Sequence, residues 1–184
     1  MKKIENAKID IDLKDFPVEI VKLIAGLLDD KNFSIKCNAR DTLVNMGSAI
    51  IPQMQKLLAS KNVLLRKNAA KIVELVADRK SIPILINLLY DTESDIRWIA
   101  AEGLIKIGRR SISPLLKSIR SAKSSHLHDQ GAHHVLTSLL DKDEKKNLAS
   151  LLNSLIDYHE LAETAPVEAD KAIKAKVIYA NSNS

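Results

Sequence analysis

Apolar positions along this chain fall at helical spacing, and the helical blocks themselves recur. Prolines mark the period: Pro52, Pro83 and Pro114 stand 31 residues apart, in "AIIPQMQKLL", "KSIPILINLL" and "RSISPLLKSI". Two residues on come Met54, Leu85 and Leu116, and five on come Leu57, Leu88 and Ile119. Proline suits the first turn of a helix, where backbone N–H groups lack intrahelical acceptors. Each block predicts a helix that opens near its proline.

A second helix follows each block at a fixed step of seven residues: Leu28 to Ile35, Leu58 to Leu65, Leu89 to Ile96 and Arg120 to Leu127. The four segments so aligned are "IKCNARDTLVNMG", "LRKNAAKIVELVA", "IRWIAAEGLIKIG" and "LHDQGAHHVLTSL". Ile35, Leu65, Ile96 and Leu127 head one column, Ala39, Ala69, Ala100 and Gly131 sit four later, and Leu43, Val73, Leu104 and Val135 four later again. Steps of four share a helix face, and the small residue in the middle lets a neighbouring helix come close. Gly47 and Gly108 stand where helix C-caps are needed.

These registers predict four helix–turn–helix repeats at 18–47, 48–78, 79–108 and 109–140, after an N-terminal extension over 1–17. Beyond them, Leu148, Leu151, Leu152, Leu155 and Ile156 predict an amphipathic helix, and Pro166 the opening of another. Residues 141–180 are expected to cap the last repeat, because a terminal repeat needs a polar outer face. The expected fold is all-α, a right-handed superhelical α-solenoid with C-terminal helices.

Composition agrees with helices and narrows the chemistry. Gly and Pro number five each, too few for the turns of an all-β fold, and 46% apolar content argues against wholesale disorder. The single cysteine, Cys37, excludes an internal disulfide and the usual Cys-rich zinc frameworks. "MKKIENAKIDIDLKDF" lacks the apolar run of a signal peptide, and no apolar stretch is long enough to span a bilayer. A cytoplasmic location without membrane association is expected. The formal charge of +5 is a mild excess that leaves an acidic partner open.

The basic column Lys36, Arg66 and Arg97 follows the acids Asp30, Asp91 and Asp95. With "DTESDIRWIAAEGLIKIG" and then "SISPLLKSI", it closely resembles the short HEAT repeats of the phycobilisome-lyase-like group. The resemblance covers residues 18–140 and implies that acid and Arg tie one repeat to the next. It also implies protein binding, or a part in bilin attachment or release. The first repeat departs in having Lys22 at the proline position, and the fourth in having His128 in the basic column.

Repeats of this kind supply a surface, usually a concave one lined by the second helices. Two non-apolar rows are expected to form its ridge: Cys37, Lys67, Trp98 and Asp129, then Asp41, Lys71, Glu102 and His133. The partner-binding candidates are Lys67, Lys71, Trp98, Glu102, Asp129 and His133. Trp98, the only tryptophan, reads equally well as an exposed anchor or as packing across the repeat seam.

The fourth repeat carries His126, His128, His133 and His134. Asp129 and His133 lie one turn apart, and Glu102 holds the equivalent place one repeat earlier. If a metal were bound, Glu102, Asp129 and His133 would hold it. The expectation is that the chain binds no metal or other cofactor and that His134 faces inward, hydrogen-bonded. The di-iron deoxyhypusine hydroxylases, also built of HEAT repeats, carry His-Glu pairs where this chain has Trp98-Ile99 and Lys67-Asn68, which cannot ligate iron in that way.

Cys37 has no histidine near it in the register and reads as a small ridge residue. Arg109, Arg110, Lys117, Arg120 and Lys123 would make a basic edge if they lie together, which keeps nucleic-acid binding as one alternative. The main expectation is an interaction or scaffold module without chemistry of its own, binding a protein or peptide segment. A metal-dependent or bilin-lyase-related enzyme using the fourth-repeat histidines is the other alternative.

Overall fold

In the computed structural model, residues 9–29, 31–121, 126–156 and 161–174 are described. Residues 1–8 of the N-terminal extension, Asp30, Lys123, and residues 157–160 and 175–180 of the expected capping segment lie outside them. The described residues form eleven α-helices joined by turns and short 3₁₀ segments. They divide into two compact units, residues 1–81 and 82–184.

The first unit holds α1 (Val18–Leu27), α2 (Phe33–Asn45), α3 (Ile51–Leu57) and α4 (Val63–Val76). Pro17 takes the N-cap position of α1, and Pro52 lies in the first turn of α3. Asn32 and Asn62 cap α2 and α4, their side-chain oxygens accepting from Ile35 and Leu65 N–H at 3.2 Å each. The expected small column does its work here: a Cβ on Gly26 of α1 would sit 3.0 Å from Ala39 Cβ of α2. Asn68 is buried on α4 and links three helices. Its amide nitrogen donates to the Leu64 and Leu27 carbonyls, and its oxygen accepts from Arg40 Nη2 at 3.3 Å. Asp10 holds the N-terminal extension to the α3–α4 turn, accepting from Ser60 Oγ and from Lys61 N–H at 2.8 Å.

The second unit holds α5 (Ile82–Leu88), α6 (Ser94–Ile107), α7 (Ile112–Ser121), α8 (His126–Leu139), α9 (Lys142–Asn147), α10 (Ala149–Ser154) and α11 (Leu161–Lys174). First helices α5 and α7 pack together, as do second helices α6 and α8. Pro83 and Pro114 open α5 and α7 as their spacing predicts. Gly108 ends α6 at φ 84°, ψ −155°, a conformation almost confined to glycine.

The C-terminal helices differ from expectation in two details. The amphipathic segment after residue 140 is two short helices, broken at Leu148, with Leu148, Leu151, Leu152 and Leu155 buried and Ile156 exposed. The last helix begins at Leu161, so Pro166 lies inside α11 rather than at its start. Proline there gives up one backbone hydrogen bond. The face Ala165, Ala169 and Ala172 is buried, α11 packs against α7, and Arg120 pairs with Asp170 at 3.4 Å.

Candidate functional site

The second helices α6 and α8 present one groove. Arg97, Trp98 and Ala101 line it from α6, and Leu127, Gln130, Gly131 and His134 from α8, enclosing about 190 Å³. That is the scale of a cavity able to take up benzene, and so one aromatic or branched aliphatic side chain.

Local sequence sets its walls. The loop before α6 is fastened by Asp91, whose carboxylate accepts from Glu93 N–H at 2.9 Å. Arg97 Nη1 donates back to the carbonyls of Asp91 and Thr92 at 2.8 and 2.9 Å. Arg66 does the same one repeat earlier, donating to the carbonyls of Ser60 and Lys61. Arg66 and Arg97 thus each fasten the loop preceding their own helix. On the α8 side, Gly131 admits Leu89: a Cβ there would sit 2.7 Å from Leu89 Cδ2.

Trp98 is 58% exposed, and its indole also stacks on His134, with ring centroids 4.6 Å apart at 24°. Surface anchor and seam contact, set against each other on sequence grounds, coexist in one side chain. His134 Nε2 lies 2.9 Å from Glu102 Oε1. His134 is therefore hydrogen-bonded as expected but only half-buried, at the groove rather than inside the unit. Glu102 reaches His134 and not His133, because α6 and α8 meet along that stripe of each helix. His133 is half-buried, and burial together with the neighbouring His134 holds its imidazole below the usual range.

Asp129 departs from the expected ridge. It is buried, with His128 beside it and His128 Nδ1 3.0 Å from its Oδ1. On α6 the buried positions are Ile96, Ala100, Ala101, Gly103 and Leu104; on α8 they are His128, Asp129, Ala132, Val135 and Leu136. The inward face of α8 is thus shifted by one residue, a turn of about 100°. Gly131 and Leu127, assigned to the core by register, become half-exposed groove residues.

The other ridge candidates lie in the first unit. Lys67 is exposed, and Lys71 pairs with Glu74 at 2.6 Å. Cys37 is a free thiol of intermediate exposure, and Asp41 is exposed. The suggested metal set is not assembled: Asp129 points inward while Glu102 engages His134. Among the described residues, no group of three or more His, Cys, Asp or Glu side chains is arranged to hold a metal ion. In the basic edge, Arg109 pairs with Glu144 and Arg120 with Asp170, while Arg110 and Lys117 are exposed. No described helix is long and apolar enough to cross a membrane.

Comparison with curated proteins found no match. Comparison with protein families gave two overlapping matches to HEAT repeats, over residues 20–105 and 51–128. Together they span more than half of the chain and take in α1 to α7, from residue 20 on, with the first turn of α8. The chain belongs to the HEAT-repeat family.

Proposed function

We propose that this protein is an interaction module that seats an apolar side chain of a partner segment in the α6–α8 groove. The carrying observation is Trp98, a large aromatic left 58% exposed at the edge of a cleft of about 190 Å³. Exposed aromatics held rigidly beside a pocket are typical binding hot spots, because little side-chain entropy is lost when a partner covers them. The stack on His134, itself held by Glu102, supplies that rigidity. HEAT repeats are typically protein-interaction scaffolds, which agrees with this reading.

Within the family, the short repeats around "IRWIAAEGLIKIG" are read as the phycobilisome-lyase-like form. Lys67 and Lys71, on α4 of the first unit, form a separate polar surface that we read as secondary partner contacts.

The test is selection of a displayed peptide library on the full-length protein, followed by titration of the selected peptides against Trp98→Ala. The reading expects peptides with a shared apolar anchor, whose affinity falls roughly a hundredfold on Trp98→Ala. Selected peptides that bind wild type and Trp98→Ala equally would move the interaction surface off this groove.

A further inference from the structure

On the side of α8 away from the groove, four polar residues from three elements of the second unit meet. Tyr90 leaves the end of α5, Ser118 lies on α7, and His128 and Asp129 stand in the first turn of α8. The Tyr90 ring stacks on His128 with centroids 4.4 Å apart and planes at 18°. His128 is fully buried, its Nδ1 3.0 Å from Asp129 Oδ1 and its Nε2 3.2 Å from Ser118 Oγ. Burial pushes the Tyr90 phenol up.

Hydrogen-bond chemistry gives this chain a direction. An ionised carboxylate only accepts, so His128 Nδ1 carries the proton that faces Asp129. In the neutral imidazole, Nε2 is then the acceptor, and Ser118 Oγ–H donates to it. Asp129 Oδ2 is buried without a hydrogen-bond partner, so its charge is better compensated once the adjacent imidazole becomes a cation. A serine on the acceptor nitrogen of a histidine, with a carboxylate on the other nitrogen, is the arrangement that activates a hydroxyl nucleophile. Ser118 is partly exposed, and Tyr90 beside it is 36% exposed.

We propose that Ser118 is a reactive nucleophile, with His128 as its base and Asp129 as the residue that orients and stabilises His128, and that it accepts acyl groups from activated esters. In the step, Ser118 Oγ bonds to the ester carbonyl carbon while its proton passes to His128 Nε2. The carbonyl π pair moves onto oxygen. Collapse expels the alcohol oxygen, which takes the proton from His128 and leaves an acylated Ser118. Water then adds by the same route, giving its proton to His128. The carboxylic acid departs and Ser118 Oγ recovers its proton.

The experiment exposes the full-length protein to an alkyl fluorophosphonate, which bonds to Ser118 Oγ at phosphorus with loss of fluoride. The adduct is mapped by peptide mass spectrometry. The expected result is one adduct, on Ser118, absent in Ser118→Ala and absent when wild type is unfolded before labelling. Asp129→Asn, checked for folding by circular dichroism, should slow labelling by roughly tenfold or more. If Asp129→Asn does not fold, the rate of wild-type labelling at Ser118 is compared with that at the other serines of the same folded chain, and Ser118 should react roughly tenfold faster or more. No adduct on Ser118 in folded wild type overturns the proposal. So does labelling indifferent to Asp129→Asn, or, where that variant does not fold, labelling of Ser118 no faster than that of the other serines.

Discussion

Trp98 and His134, one on each wall of the groove, stack with ring centroids 4.6 Å apart, and Glu102 holds the imidazole from its edge at 2.9 Å. Trp98 is the only tryptophan, so the near-ultraviolet circular dichroism of its indole reports the stack. His134→Ala should weaken that signal, because the ring that fixes the indole is lost. A near-ultraviolet spectrum unchanged by His134→Ala would mean that the stack does not persist in solution.

The helix ends predict a stabilising substitution. Gly47 and Gly108 follow α2 and α6 with φ of 59° and 84°, while Ala77 ends α4 in the left-handed region at φ 48°, ψ 37°. A side chain there costs about 1–2 kcal/mol, against a smaller entropic loss for glycine. Ala77→Gly should raise unfolding free energy by about 0.5–1 kcal/mol in urea titration. Gly108→Ala should lower it by about 1–3 kcal/mol through the backbone alone, because a Cβ there would meet nothing within 4 Å. Equal stability of Ala77→Gly and wild type would show that the left-handed cap carries no strain.

His133 predicts a pH dependence whose sign follows from burial. Its folded imidazole is held below the ordinary 6.5, first by burial and then by His134. Well above that value neither state holds the proton, and the residue adds no pH dependence. As pH falls through 6.5, the unfolded chain takes up the proton first, so the folded state loses stability until it protonates too. Urea midpoints should therefore drop between about pH 7 and about pH 5, and His133→Gln should flatten part of that slope. Identical slopes in both proteins would assign the loss to other groups.

At the start of α9, Arg109 and Glu144 predict an asymmetry. Arg109 Nη1 reaches Glu144 Oε2 at 3.0 Å, and the same oxygen accepts from Asp141 N–H at 2.9 Å, closing a capping box. The Glu144 side chain is 6% exposed and that of Arg109 39%. Removing Arg109 leaves a buried carboxylate short of its cation, whereas removing Glu144 leaves a guanidinium that water can reach. Arg109→Ala should cost about 3 kcal/mol and Glu144→Ala about 1–2 kcal/mol. The reverse order in thermal unfolding would contradict this account.

The repeat was legible in the chain itself. Proline spacing, a small-residue column and glycines at helix ends are local signals, each tied to one backbone requirement, so they place α3, α5 and α7, the close approach at Ala39 and the caps at Gly47 and Gly108. Trp98 and Glu102 could be named as surface candidates because α6 follows the register of the repeat closely. Tertiary packing decided the rest. Register assigns a helix face only to within one residue, and α8 turns by that one residue when Leu89 meets Gly131 and His128 meets Ser118. Asp129 goes inside, Gly131 becomes groove wall, and Glu102 finds His134 instead of His133. Tyr90 and Ser118 carried no one-dimensional signal, because their pairing with His128 depends on where α7, α8 and the turn after α5 meet. Periodicity states which residues share a helix face; which face meets which neighbour is settled by side-chain volume and hydrogen-bond partners supplied from elsewhere in the fold.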